Sequence, residues 1–371
     1  MPKHIVIFSG GTAQRQITIA LARRGLAVTR IVPAWDSGGS SRAIRQALGI
    51  IPVGDIRQAL MTLAYAEGRA GEAVRIFNAR LSDTDDARQL AREFVFYRDG
   101  QHPAFAAMDG ELCTAILKHL ARFAEAVDGN FDLRRGSIGN FVLTGAYLAN
   151  GRDINRAIEE FRALCRIAGN VWPSSPGDDL TLTATLKDGR TVREQHRITA
   201  LRSEDARTGI ADVTLEGRAV ANAAALAAIA EAEAIVFGPG SFFTSVLPHL
   251  KVGGIGEAIA KRDVPRLFIG NMLEDQETLG LSIAGMVASL ERSGFSPSHI
   301  LAHRPAMPFA LSEGGRRFIA ADPENLWRNR ERGTLDVSGG TFLAGDFEDP
   351  GSRGSHDAER MARIIAELAG A

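Results

Sequence analysis

Between Asp36 and Arg42 the chain reads Asp-Ser-Gly-Gly-Ser-Ser-Arg, so a carboxylate, paired glycines, hydroxyls and a guanidinium share one short stretch. This composition suits an anion. Gly38 and Gly39 allow close backbone approach, and Ser40 and Ser41 are expected to cap a helix beginning near Ala43. Exposed N–H groups at a helix start favour negative charge, and Arg42 would add its own positive charge. Asp36 is the candidate to hold a metal or orient a reacting hydroxyl. An ordinary polar strand-to-helix connection could carry the same residues, so the neighbours decide.

Similar loops recur. Gly10-Gly11-Thr12 follows the apolar run His4–Phe8. Gly238-Pro239-Gly240-Ser241 follows Ala234–Phe237, with Thr244 and Ser245 just beyond, and Asn271 follows Arg266–Ile269. Asn140 stands at a helix entry behind Ser137 and Gly139, and Arg57 is the charged residue of its helix expected nearest the ligand, with a surface salt bridge as its ordinary alternative. Asn271 can both donate and accept, which suits base, ribose or phosphate recognition as well as an ordinary turn.

The elements that must position these residues start with a βαβ unit. His4–Phe8 reads as a strand, Ile17, Ala20 and Leu21 mark a helix ended by Gly25, and Ala27–Val32 is the next strand. At the carboxyl edge of a parallel sheet the first two loops become two walls of one site. The first loop lacks G-x-G-x-x-G spacing, which argues against a dehydrogenase-type dinucleotide fold. Residues 54–130 read as a helical block: Asp55 is expected to cap a helix with Ile56, Leu60 and Leu63 on one face, and Asp83 precedes a face of Ala87, Leu90, Ala91, Phe94 and Val95. Further helices are expected over Glu111–Val127 and Asp153–Ile167.

Residues 178–216 change period. Leu180–Leu186 alternates, Asp188-Gly189 makes a tight turn before Thr191-Val192, and Ile198–Leu201 and Ala211–Leu215 read as further strands. This antiparallel insertion is expected to serve as a lid or a homodimer surface. Helices follow at Ala219–Ala232, Ile255–Ala260 and 279–292, with a strand at 299–302. In the C-terminal segment, 305–371, the charges around 313–317 and 329–333 read as solvated, and a helix closes the chain at His356–Ile365, with His356 either at the surface or lining the site. The fold class is α/β: a Rossmann-like, doubly wound, mostly parallel sheet in a single domain over 1–371, with a helical block and a small antiparallel β insertion.

Composition narrows the function. Of 371 residues, 43 are Lys or Arg and 44 Asp or Glu, so a net charge of −1 offers no general field for nucleic acid or an anionic membrane. The two cysteines, Cys113 and Cys165, show no CxxC pattern and read as packing thiols. No secretory leader or bilayer-length apolar run stands out, which makes the cytoplasm the expected location.

Taken in order, Gly10-Gly11-Thr12, Asp36–Ser41, Gly49–Arg57, Ser137–Asn140, Gly238–Ser245, Asn271 and Glu277-Thr278 resemble the CofD and YvcK family along nearly the whole chain. The wording of Gly38–Ser41 and Gly238–Ser241 is similar to the YvcK-type branch. That resemblance implies a UDP-sugar-like nucleotide diphosphate bound in a regulator of carbon metabolism or cell-wall growth. The other branch implies transfer of phospholactate from a nucleotide-diphosphate donor to a deazaflavin alcohol with Mg²⁺. Here Ser37 replaces the second of the family's paired acids, Arg42 and Ala13 replace glycines, and Gln58 replaces an asparagine. No second carboxylate, His or Lys in a recognisable motif stands beside Asp36, which favours binding over turnover.

Overall fold

A computed structural model describes residues 2–68, 71–304, 317–319 and 341–371 of the chain. It opens with β1 (His4–Phe8), α1 (Arg15–Arg23), β2 (Ala27–Val32), α2 (Gly39–Leu48) and α3 (Gly54–Glu67). A helical run continues through α4 (Gly71–Asn78), α5 (Ala87–Arg98), α6 (Gly110–Ala126), α7 (Ile138–Ala149) and α8 (Ile154–Cys165) before β3 (Asn170–Pro173). Next come β4 (Thr181–Leu186), β5 (Thr191–Arg193), α9 (Gln195–Thr199), α10 (Ser203–Thr208) and β6 (Ile210–Glu216). They are followed by α11 (Ala223–Glu231), β7 (Ala234–Phe237), α12 (Ile255–Ala260), β8 (Arg266–Ile269), α13 (Ile283–Arg292) and β9 (His299–His303). The C-terminal part holds β10 (Thr341–Gly345), β11 (Glu348–Asp349), β12 (Ser352–His356) and α14 (Ala358–Leu368).

The main sheet has seven strands in the order β10-β9-β8-β7-β1-β2-β3, all paired in parallel. Apart from their edges the central strands are buried on both faces, which explains their unbroken apolar sequences. From β1 the chain winds outward through β2 and β3, then returns beside β1 at β7 and winds the other way. That reversal creates a crevice outside the carboxyl ends of β1 and β7, the usual ligand position in a doubly wound sheet. The expected α/β architecture is therefore observed, with β5-β4-β6 as the separate antiparallel insertion.

Several local expectations are corrected. Residues 198–201 do not form a strand: Ile198 lies in α9, its apolar side chain buried by a helical turn. Helix α2 starts at Gly39 behind Gly38, so Ser40 and Ser41 sit inside its first turn and cap nothing. Asp55 likewise lies within the first turn of α3, whose N-cap is Val53. The cap of α5 is Asp86, whose carboxylate accepts from the N–H groups of Arg88 and Gln89, and Val95 faces outward. Of the charged segments at 313–317 and 329–333, only Arg317 lies within the described residues. Cys165 is buried and Cys113 half-buried, both as free thiols.

Candidate functional site

Each glycine-rich loop leaves the carboxyl end of a strand: 9–14 after β1, 33–38 after β2, 238–245 after β7 and 270–272 after β8. Thr12, Ala13, Pro239, Gly240, Ser241, Asn271 and His356 line one cavity of about 380 Å³ at the β1/β7 reversal. The Gln14 amide donates to the Gly238 carbonyl, and the Asn271 carbonyl oxygen accepts from Gly240 N–H at 3.3 Å, which fastens the three loops together. His356, half-buried, takes the second of its two expected places and lines this cavity. It donates through Nε2 to the Gly270 carbonyl at 3.1 Å, and burial pushes its pKa down to about 4, so it faces the cavity as a neutral ring.

Beside this cavity the structure brings together two carboxylates, and the second is Asp55. A Cβ on Gly54 would lie 2.5 Å from Ser41 Oγ and 3.1 Å from Asp36 Oδ2. A Cβ on Gly11 would lie 2.7 Å from Asp55 Oδ1. The backbone approaches both acids at distances only glycine tolerates. Gly10 places Ser245 in the same group, since a Cβ there would meet Ser245 Oγ at 3.0 Å and Asp55 Oδ2 at 3.7 Å. The fold supplies in Asp55 the second acid that no sequence motif placed beside Asp36. Asp55 is separated from it along the chain by the whole of α2, and an acid in the first turn of a helix ordinarily needs no further explanation.

Burial pushes both acids upward. Asp36 is held back by the Gly38 N–H at 2.9 Å, the Ser41 hydroxyl and the charge of Arg45. Asp55 reaches about 7 through burial and the repulsion of Asp36, against the Gly11 N–H, Arg30 and Arg57. Arg30 was missed by sequence reasoning. It is fully buried in β2, with Nη1 donating to Thr18 Oγ1 at 2.9 Å and Nη2 to the Gly10 carbonyl at 2.5 Å. A lone arginine inside an apolar central strand was the available signal, because a buried charge demands a partner.

Arg57 is also buried, and its fork organises a second layer. Nε donates to Asn140 Oδ1 at 3.1 Å, and Nη1 donates to Asn78 Oδ1 at 3.1 Å and Gln58 Oε1 at 2.9 Å. The Asn140 amide donates in turn to Ser40 Oγ at 2.9 Å. Ser40, Arg57 and Asn140 therefore build the floor under the acids and do not line the 380 Å³ cavity. Arg42 lines a different pocket of about 200 Å³, with Trp35, Ser37, Arg45, Thr181 and Glu194. Gly38 and Gly39 form the turn into α2 between these places.

Glu277 fixes the loop after β7. Its carboxylate accepts from Phe243 N–H at 3.1 Å, Thr244 Oγ1 at 2.6 Å and Thr199 Oγ1 at 3.0 Å, and burial raises its pKa to about 7. Thr244 gives its carbonyl to Trp35 Nε1 at 2.8 Å, which ties this loop to the one carrying Asp36.

The donor set is compatible with Mg²⁺ only in a particular way. Among the described residues no three His, Cys, Asp or Glu side chains gather to cage a metal. Two buried, mutually repelling carboxylates nevertheless fit a cation that takes its remaining ligands from water and substrate phosphate. Among the described residues no helix is long and apolar enough to cross a membrane.

Comparison with known proteins bears on the family and the fold. A relative from Nostoc sp. is 28% identical and covers 99% of this chain and 68% of its own length. The gluconeogenesis factor of Halalkalibacterium halodurans is 27% identical over 75% of this chain and 70% of the relative, and that of Listeria monocytogenes 27% over 72% and 66%. The chain thus spans about two thirds of the length of these relatives. The crystal structure of protein BH3568 from Bacillus halodurans superposes with a TM-score of 0.70 at 25% identity, covering 98% of this chain and 99% of that one. The CofD family model, described as 2-phospho-L-lactate transferase CofD, matches residues 5–306, and the chain belongs to this family.

Proposed function

We propose that this protein binds a nucleotide diphosphate carrying a further group, of the UDP-sugar kind, with its pyrophosphate between the strand-end loops. The observation that carries this reading is the convergence of Thr12, Gly240, Ser241 and Asn271 on one cavity at the sheet's reversal point, next to the Asp36–Asp55 pair. Backbone N–H groups and hydroxyls suit phosphate oxygens, and His356 and Asn271 offer neutral polar groups to the base or sugar. Occupancy would add a charged ligand to the already fastened loops after β1, β7 and β8 and so change the surface that a partner reads, as a cytoplasmic regulator of carbon metabolism or cell-wall growth requires.

Transfer of the substituted phosphate to an alcohol is a second reading, and Asp55 favours it. A carboxylate with a pKa near 7 is matched to accept a proton from an attacking hydroxyl at neutral pH. Arg30 and Arg57 balance the charge on Asp55, and Gly11 N–H holds its orientation. In this reading Mg²⁺ would be held by Asp36, leaving Asp55 to take the proton, and would supply charge stabilisation to the phosphate oxygens. The test is a thermal-shift panel of nucleotide diphosphates and their sugars, with and without Mg²⁺. Saturation a hundredfold above Kd adds about 2.7 kcal/mol to native stability. A response to at least one compound is expected, and silence throughout would remove both readings. Release of nucleoside monophosphate when a responding compound is mixed with a deazaflavin alcohol would separate enzyme from sensor.

A further inference from the structure

Ser37, which replaces the family's second acid, faces a histidine. Its Oγ lies 2.9 Å from His196 Nδ1 and accepts the His196 backbone N–H at 3.1 Å. On the far side of the imidazole, Nε2 lies 3.5 Å from Glu194 Oε2. With the hydroxyl donating to Nδ1, the ring is neutral and carries its proton on Nε2, near a Glu194 carboxylate that it shares with Arg197 Nε at 3.5 Å and to which it makes no direct hydrogen bond. Hydroxyl, imidazole and carboxylate are then in the order of a nucleophile, its general base and the group that orients the base. Glu194 adopts a φ of 77°, a left-handed conformation that costs a non-glycine residue energy and that recurs at functional sites. Ser37 and Glu194 both line the 200 Å³ pocket, and so do Arg42 and Arg45.

We propose that Ser37 is a nucleophile for phosphorus. The two guanidiniums at the pocket favour a phosphate over a neutral ester. The identity of the donor rests on the nucleotide-diphosphate reading above, whereas the reactivity of Ser37 does not. Where the distal phosphate of the donor reaches the 200 Å³ pocket, Ser37 Oγ attacks its phosphorus and the hydroxyl proton passes to His196 Nδ1. An Oγ–P bond forms, the bridging P–O bond breaks, and the electron pair leaves with the nucleoside monophosphate. His196 passes the first proton to the departing nucleoside monophosphate; an acceptor hydroxyl then gives its proton to His196 as its oxygen attacks the same phosphorus, the Oγ–P bond breaks, and His196 returns that proton to the leaving Ser37 Oγ. The groups facing His196 are Glu194 and Arg197 from its own segment, Arg42 from α2 and Asp36 from the loop after β2. Burial and Arg42 outweigh the acids and keep the ring neutral below its ordinary range, ready as a base at neutral pH.

Diisopropyl fluorophosphate tests this without any nucleotide, because it phosphorylates an activated serine with loss of fluoride. Intact mass and peptide mapping of the full chain should show one adduct, on Ser37. Ser37→Ala should abolish it, and His196→Gln should slow labelling roughly a hundredfold or more. Glu194→Gln should slow it by less, and the labelling rate should rise with pH at a midpoint below the ordinary imidazole range. Far-UV circular dichroism of each variant shows whether it is folded, and the wild-type pH profile stands even if a variant is not. No adduct at Ser37, or labelling unchanged in a folded His196→Gln chain, would mean that the contact only fastens α9 to the site loop. A Ser37 adduct in a protein that no nucleotide diphosphate stabilises would leave the nucleophile standing and remove the donor.

Discussion

Asp36 and Asp55 repel one another in a place from which water is largely excluded, and the fold tolerates this through Arg30, Arg57 and two backbone N–H groups. The cost appears as a pH dependence. Asp55 is raised from 3.8 to about 7, so between these values the folded chain holds a proton that the unfolded chain has released. Stability should fall as pH rises through that window, with the penalty complete above pH 7. Glu277, raised from 4.5 to about 7, acts in the same direction. Thermal unfolding from pH 5 to 8 should show this decline, and Asp55→Asn should flatten it and raise the midpoint at pH 8, by an amount equivalent to a few kcal/mol at most. A divalent cation held by the pair should stabilise wild type more at pH 8 than at pH 5.5. At this scale the sequence disclosed Asp36, which sits in a glycine-rich setting, but not Asp55 or Arg30. Their importance comes from being near one another after folding: Arg30 is marked only as a lone charge in an apolar strand, and the immediate neighbours of Asp55 record nothing beyond an ordinary helix start.

At the scale of elements, α2, α3 and α7 meet end to end and the hydrogen-bonded chain Ser40–Asn140–Arg57 runs through their first turns. Removing its middle member leaves a buried guanidinium N–H without a partner. Asn140→Ala should therefore cost about 1–3 kcal/mol in denaturant unfolding, and weaken ligand binding because Ser40 and Ser41 lose their positions. The strands and long helices could be read from the sequence because burial imposes a period, as in the stripe of Ile154, Ala157, Ile158 and Phe161 in α8. The short helix α9 could not. Ile198 shows an apolar side chain in either a strand or a helical turn, and the turn is set by Glu194 and by contacts of Ser37 and Glu277 from distant loops. The same contacts give the insertion a role: α9 is held at one end by Ser37 and at the other, through Thr199, by Glu277.

For the whole molecule, the order β10-β9-β8-β7-β1-β2-β3 explains why loops far apart in the chain share a site. Thr12 and Ser241 open onto the same cavity because β1 and β7 are neighbours with their carboxyl ends aligned. Ser40 does not open there and supports it from below, while Arg42 belongs to the pocket by the insertion. Calorimetric titration of a UDP-sugar into wild type and Thr12→Trp tests the central claim most directly, because the indole would occupy the cavity while the acids and their network stay untouched. Saturable binding by wild type, weakened at least tenfold in a folded Thr12→Trp chain, is the predicted result. Equal affinity in both proteins would place the nucleotide elsewhere and contradict the account.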